Sequence, residues 1–180
     1  MPDFLVNASQ VLQTMPNLYI AITVLFGLLI GSFLNVVIHR LPIMMEREWH
    51  QNCAELQGKE IPEAKPYTLV KPRSACPKCG HMITALENIP VISYLFLGGK
   101  CSACKTPVSI RYPIIEAVTG ILSGLIAWKF GYTTQAFGAL IFTYALITLT
   151  MIDADTQLLP DDITLPLVWL GLLLNLGGIF

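Results

Sequence analysis

Charge is what this sequence has least of. Lys, Arg, Asp and Glu make up 13% of its 180 residues, against 54% that are hydrophobic. That is about half the charged share of a soluble domain, and the mean hydropathy is +0.62. The charges are also segregated: ten of the eleven Lys and Arg fall between Arg40 and Arg111, the eleventh being Lys129. Such a distribution excludes an ordinary soluble domain and is what a polytopic membrane protein shows. Residues 18–38 and 133–152 carry no charge, 113–128 carry only Glu116, and 163–180 run apolar to the last residue. At about 1.5 Å of rise per residue, runs near twenty residues cover a hydrocarbon layer of about 30 Å. The expected fold is an α-helical polytopic membrane protein with four transmembrane helices.

A basic start is missing too. Residues 1–17 hold Asp3 and no Lys or Arg, so the first run is not a cleavable signal peptide, which needs a positive n-region. Positive charge follows the run instead. Basic loops stay in the cytoplasm, so residues 1–17 are expected outside and the 39–112 loop inside. Alternation then puts Lys129 outside and residues 153–162 inside. The bilayer is the expected partner, and no nucleic acid is. Gly27 with Gly31, and Gly120 with Gly124, are spaced four apart, which lets helix backbones approach closely. Glycine is also simply common in membrane helices.

Within the loop, Met45, Trp49, Cys53 and Leu56 recur at helical spacing, with Gly58 as a stop. They suggest a helix lying along the membrane surface or one packed on the rest of the loop. The proline-bearing stretch 59–73 reads as an extended linker. Beyond it, "CPKCGH" and "CSACK" place Cys76, Cys79, Cys101 and Cys104 in a C-x2-C…C-x2-C set. Two such turns meeting give a tetrahedral four-thiolate site, so a structural zinc in a zinc-ribbon-like loop between the first and second spans is expected. Disulfides or a redox pair are the rivals, disfavoured in a reducing cytoplasm. Cys53 is left as an inert thiol. His39, His50 and His81 have no assigned role, because four thiolates already complete a zinc shell. The apolar segment "ENIPVISYLFLGG" either packs under the ribbon or touches the bilayer.

The third uncharged run ends on "MIDADTQLLPDD", four aspartates within ten positions. Acids are costlier than bases at a membrane edge, because Lys and Arg snorkel. A solvated acidic loop is one explanation. The other is a carboxyl catalyst: two carboxyl groups close together share a proton, so one activates water while the other protonates a scissile amide.

"GSFLNVVIHRLP" at 31–42, the two cysteine pairs, "ENIP" at 87–90, "RYPIIE" at 111–116 and "IDADTQLLPD" at 152–161 follow one another in this order. Together they resemble the bifunctional type IV prepilin leader peptidases and N-methyltransferases of Gram-negative bacteria. The resemblance implies an inner-membrane aspartic peptidase that removes the basic leader of prepilins and type II secretion pseudopilins at the cytoplasmic face. It also implies methylation of the new N-terminal residue with S-adenosylmethionine as donor. The family's first catalytic aspartate falls on Asp153, and its second comes from a later Gly-x-Gly-Asp motif that this sequence lacks. Residues 39–112 then correspond to the methyltransferase-associated region, and residues 113–180 to peptidase-domain helices that look truncated. Asp155, Asp161 and Asp162 would supply a negative field that draws in the basic leader. No Rossmann-type glycine loop is present, and no residue is assigned to the methyl donor. Asn35 and Glu116 are candidates, with interhelical hydrogen bonding as their alternative role. A non-catalytic membrane adaptor with a zinc loop, or a transporter fragment relaying protons through Glu116 and Asp153, are the other functions the residues allow.

Overall fold

The computed structural model describes residues 10–59 and 66–178. Residues 1–9, 60–65 and 179–180 lie outside the described residues, and with them parts of the expected N-terminal segment, linker and fourth run. A helical segment over residues 10–14 precedes five helices. They are α1 (Pro16–Leu56), α2 (Ile92–Phe96), α3 (Arg111–Phe130), α4 (Thr134–Thr156) and α5 (Asp161–Leu176). Among the described residues, β pairing is confined to two isolated bridges, Ala75 with Met82 and Lys100 with Pro107.

Helices α1, α3 and α4 are long and apolar enough to cross a membrane. The fourth run is helical as expected, but its 16 residues cover only about 24 Å, short of the about 30 Å of a hydrocarbon layer. The first span differs more. The expected break after Ile38 does not occur, and α1 continues for 41 residues with Pro42 inside it, a length of about 60 Å. One proline removes one backbone donor and bends a helix without ending it when good helix formers follow, as "MMEREW" does. The segment from Met45 to Leu56 is therefore an arm prolonging the span, not a separate surface helix. It ends at Gly58, whose φ of 64° is available to glycine without steric cost.

The α1–α3 contact dominates the packing, and α5 packs chiefly on α4. The glycines explain how closely α1 and α3 approach. A Cβ at Gly31 would stand 2.7 Å from the Cα of Glu116, and one at Gly27 would collide with the Ser123 hydroxyl. On the facing helix, Gly120 and Gly124 leave room for Leu28 and Val24. The four-apart glycines thus form the contact itself. Thr119 and Ser123, fully buried there, return their hydroxyls to the carbonyls of Ile115 and Thr119, each at 2.7 Å. This satisfies polar groups that lipid could not. Leu34, Ile38, Leu41, Ile115 and Ile152 form the apolar core, which fixes the last turn of α4 against α1 and α3.

Candidate functional site

The two cysteine pairs fold alike. In the first, the Cys76 amide donates to the His81 carbonyl (2.9 Å) and Gly80 N–H returns to Cys76 O (2.9 Å). In the second, Cys101 N–H reaches Thr106 O (2.8 Å) and Lys105 N–H reaches Cys101 O (3.0 Å). Gly80 and Lys105 occupy the same place in each knuckle and both have positive φ, 72° and 59°. The amides of Cys79 and Lys78 point at the Cys76 sulfur and lower its pKa. The Thr106 hydroxyl, then its amide, bring Cys104 down to about 6. Cys79, lowered by the His81 amide but raised more by burial and neighbouring thiols, stands at about 11. Four clustered thiols ionise at one another's expense, and a divalent cation removes that conflict.

The geometry fits such an ion. All four sulfurs lie within 4.8 Å of one another, with 3.8 Å between Cys76 and Cys104 and 3.9 Å between Cys79 and Cys101. Zinc with four thiolates at about 2.3 Å in a tetrahedron separates its sulfurs by roughly 3.8 Å. Cys53 is exposed on the α1 arm, apart from this cluster.

Glu87 ties the knuckles together. Hydrogen bonds from the Ser102 side chain, and from the amide and hydroxyl of Thr84, hold its carboxyl at about 2. His81 Nε2 lies 3.2 Å from the same carboxylate. The histidine left without a role thus orients the acid that joins both pairs. Next in the chain, Val91 has φ 58° and ψ −48°, and Ile92 N–H closes on Pro90 O at 2.5 Å. This is a γ-turn of the strained sign, at a β-branched residue, and such conformations cost about 1–3 kcal/mol. The Val91 amide that it exposes donates to Glu116 Oε2 at 2.7 Å. Glu116, buried on α3, also takes a hydrogen bond from Ser32 on α1. Asn35 Nδ2 donates to the carbonyls of Tyr112 (3.2 Å) and Gly31 (3.3 Å). Both polar residues proposed from sequence therefore have interhelical or helix–loop partners.

The chain before the first knuckle is held, not loose. Arg40, buried at 7% exposure, donates to Thr68 O at 2.9 Å. Tyr67 lies under the Arg40 and Arg47 guanidinium groups, 5.7 and 4.3 Å from its ring centroid, within cation–π range. The expected linker is thus strapped to the α1 arm over its described residues.

Asp153 sits in the last turn of α4, exposed, directly after the fully buried Ile152. Among the described residues no side chain pairs with it. Asp155 differs: both its oxygens meet the Arg111 guanidinium, at 2.7 and 2.6 Å, and Arg111 also donates to Met151 O at 3.3 Å. This fork joins the start of α3 to the end of α4 and largely neutralises Asp155. The expected three-acid field is accordingly reduced to Asp161 and Asp162, in the first turn of α5, where acids also suit the helix dipole. Sequence reasoning missed Arg111, Glu87 and Val91. "RYP" placed a base at a span edge, which is ordinary, and its partner lies 44 residues away.

A family model described as the bacterial peptidase A24 N-terminal domain matches residues 25–130, and one described as the type IV leader peptidase family matches residues 140–180. The chain is similar to a prepilin leader peptidase/N-methyltransferase of Pseudomonas aeruginosa, 54% identical over 94% of this chain and 59% of the relative. Relatives of the same description from Stutzerimonas stutzeri (50% identical, 95% and 60% covered) and Neisseria gonorrhoeae (53%, 89% and 57%) are comparably similar. The chain thus spans about three fifths of the length of these curated relatives. No solved structure matches it.

Proposed function

The chain belongs to the bacterial peptidase A24, or type IV leader peptidase, family, and from that premise we propose that it is part of an enzyme processing prepilins and type II secretion pseudopilins. The whole enzyme removes the basic leader at the cytoplasmic face of the inner membrane and methylates the new N-terminus from S-adenosylmethionine. The observation that carries this reading is the placement of Asp153, a carboxylate without a side-chain partner among the described residues, at the end of an apolar helix long enough to span, next to a residue locked in the core.

Asp153 provides one carboxylate of an aspartic pair. By the family resemblance its companion is the aspartate of the Gly-x-Gly-Asp motif, while Asp155 is engaged by Arg111. The two share one proton; the ionised member takes a proton from water as the water attacks the scissile carbonyl, and the protonated member gives its proton to the leaving amine. Asp161 and Asp162 attract the positively charged leader.

The four cysteines hold a structural zinc. Bound there, the ion supplies cross-linking only, since four thiolates close its coordination shell. Glu87 and His81 orient the two knuckles around it, and the Val91–Glu116 hydrogen bond fixes the loop to the span pair. The basic loop faces the cytoplasm, as the distribution of Lys and Arg suggests.

The test is reconstitution of the complete protein with a prepilin, comparing wild type with Asp153→Ala. Loss of cleavage, with methylation of an already cleaved pilin retained, supports the assignment. Retained cleavage in the variant removes it.

A further inference from the structure

Two observations place the short helix α2 relative to the bilayer. The first is where the lipid-facing side chains stop. On α1, exposed large apolar residues run from Leu18 through Ile22, Leu25, Phe26 and Leu29 to Phe33, and none follows until Trp49. On α3 the corresponding stripe is Ile114, Val118, Ile121 and Leu125, continued by Ile110 just before the helix, spaced by a helix's own period. The hydrocarbon edge on the loop side therefore lies near Phe33 on one helix and Ile110 on the other. The second observation is the bond across that edge. Val91, the residue before α2, donates its amide to Glu116, which in turn binds Ser32, the neighbour of Phe33. The start of α2 is pinned beside Phe33, and about 9 Å along α3 to the bilayer side of Ile110.

At that level α2 and its flanks present apolar groups to the outside. Leu86, Leu95 and Phe96 are 76%, 71% and 88% exposed, and Ile92 is 52% exposed. Leu86, Ile89, Ile92 and Phe96 border a shallow groove of about 280 Å³. A patch of this kind in water is unusual for a stable domain. Here it directly follows the anchor of Val91 to α3, and an amphipathic segment at a headgroup boundary buries its apolar side by about 5–10 Å.

We propose that α2 is a membrane-docking element, with Leu95 and Phe96 inserted into the loop-side leaflet and the Val91–Glu116 hydrogen bond setting its depth. The knuckle loop is then held to lipid at a second place besides its covalent ends. The occupant is the acyl region of the bilayer. Docking does not require that Asp153 be catalytic, and its test does not read cleavage.

The experiment uses the complete protein in bilayer nanodiscs, with every native tryptophan, Trp49, Trp128 and Trp169 among them, replaced by Phe and single tryptophans introduced as Phe96→Trp, Leu95→Trp or Lys78→Trp. A variant retaining only Trp128, 74% exposed on a span, is the lipid-facing reference. Lipids brominated near the headgroup end of the chain quench a tryptophan only where it meets them. The expected result is quenching at positions 95 and 96 comparable to that at Trp128, and none at position 78. Adding Glu116→Ala is expected to lower quenching at 96 while leaving Trp128 unchanged in a parallel variant. Red, unquenched emission at both 95 and 96 shows an aqueous surface and overturns the proposal. Blue, unquenched emission shows cover by protein, whether another part of the enzyme or a bound substrate, and overturns it equally.

Discussion

Asp153 and Asp155 stand two residues apart and differ in everything that matters to chemistry. Asp155 is held by a guanidinium fork, and Asp153 has no such partner. Asp153→Ala is expected to lower leader cleavage on the order of 10⁴-fold or more, the scale on which members of a catalytic unit act, with no change in membrane insertion. Asp155→Asn should do little. The Arg111–Asp155 side chains are 38% and 41% exposed, and an exposed pair contributes about 0–1 kcal/mol, so thermal unfolding and cleavage should both stay near wild type. Replacing Asp161 and Asp162 by Asn removes charge without removing the proposed catalyst. Substrate binding is then expected to weaken at low ionic strength and to match wild type at high salt, because screening shortens with added ions. Affinities for a basic leader peptide measured at two salt concentrations decide this.

At the scale of the element, the α1–α3 pair and the two knuckles make separable predictions. Gly31→Leu places a branched side chain where even a Cβ comes within 2.7 Å of backbone. Overpacking of this sort costs about 1–3 kcal/mol, and backbone has less room to yield than side chains, so a clear fall in detergent-resistant stability is expected. Cys76→Ser should abolish the one zinc per chain expected of wild type, measured by atomic emission. It should also make residues 75–107 protease-sensitive while helical circular dichroism persists, since α1, α3 and α4 pack without the knuckles. What was legible in the sequence follows the same division. The C-x2-C spacings pointed to the sulfur cluster and the four-apart glycines to a helix contact, because both are short-range patterns, though each had an alternative reading. The length of α1 was not legible, since the uncharged run stops before Arg40 and marks where lipid ends, not where the helix does. Nor was the Val91 turn: a β-branched residue after proline favours extended backbone, and the carboxylate that compensates its strain is 25 residues further on.

Among the described residues, three helices long and apolar enough to cross a membrane carry a four-cysteine loop strapped down at two places, Arg40 on the α1 arm and Glu116 on α3. The two straps join parts far apart in the chain, which is why pattern reading found the loop but not its attachment. Ile152 points into the cluster formed by α1 and α3. A step of one residue along a helix turns about 100°, so Asp153 looks away from that cluster, toward the flank. With Asp153 as the proposed catalyst, a substrate meets it from that flank, where its side chain is exposed among the described residues.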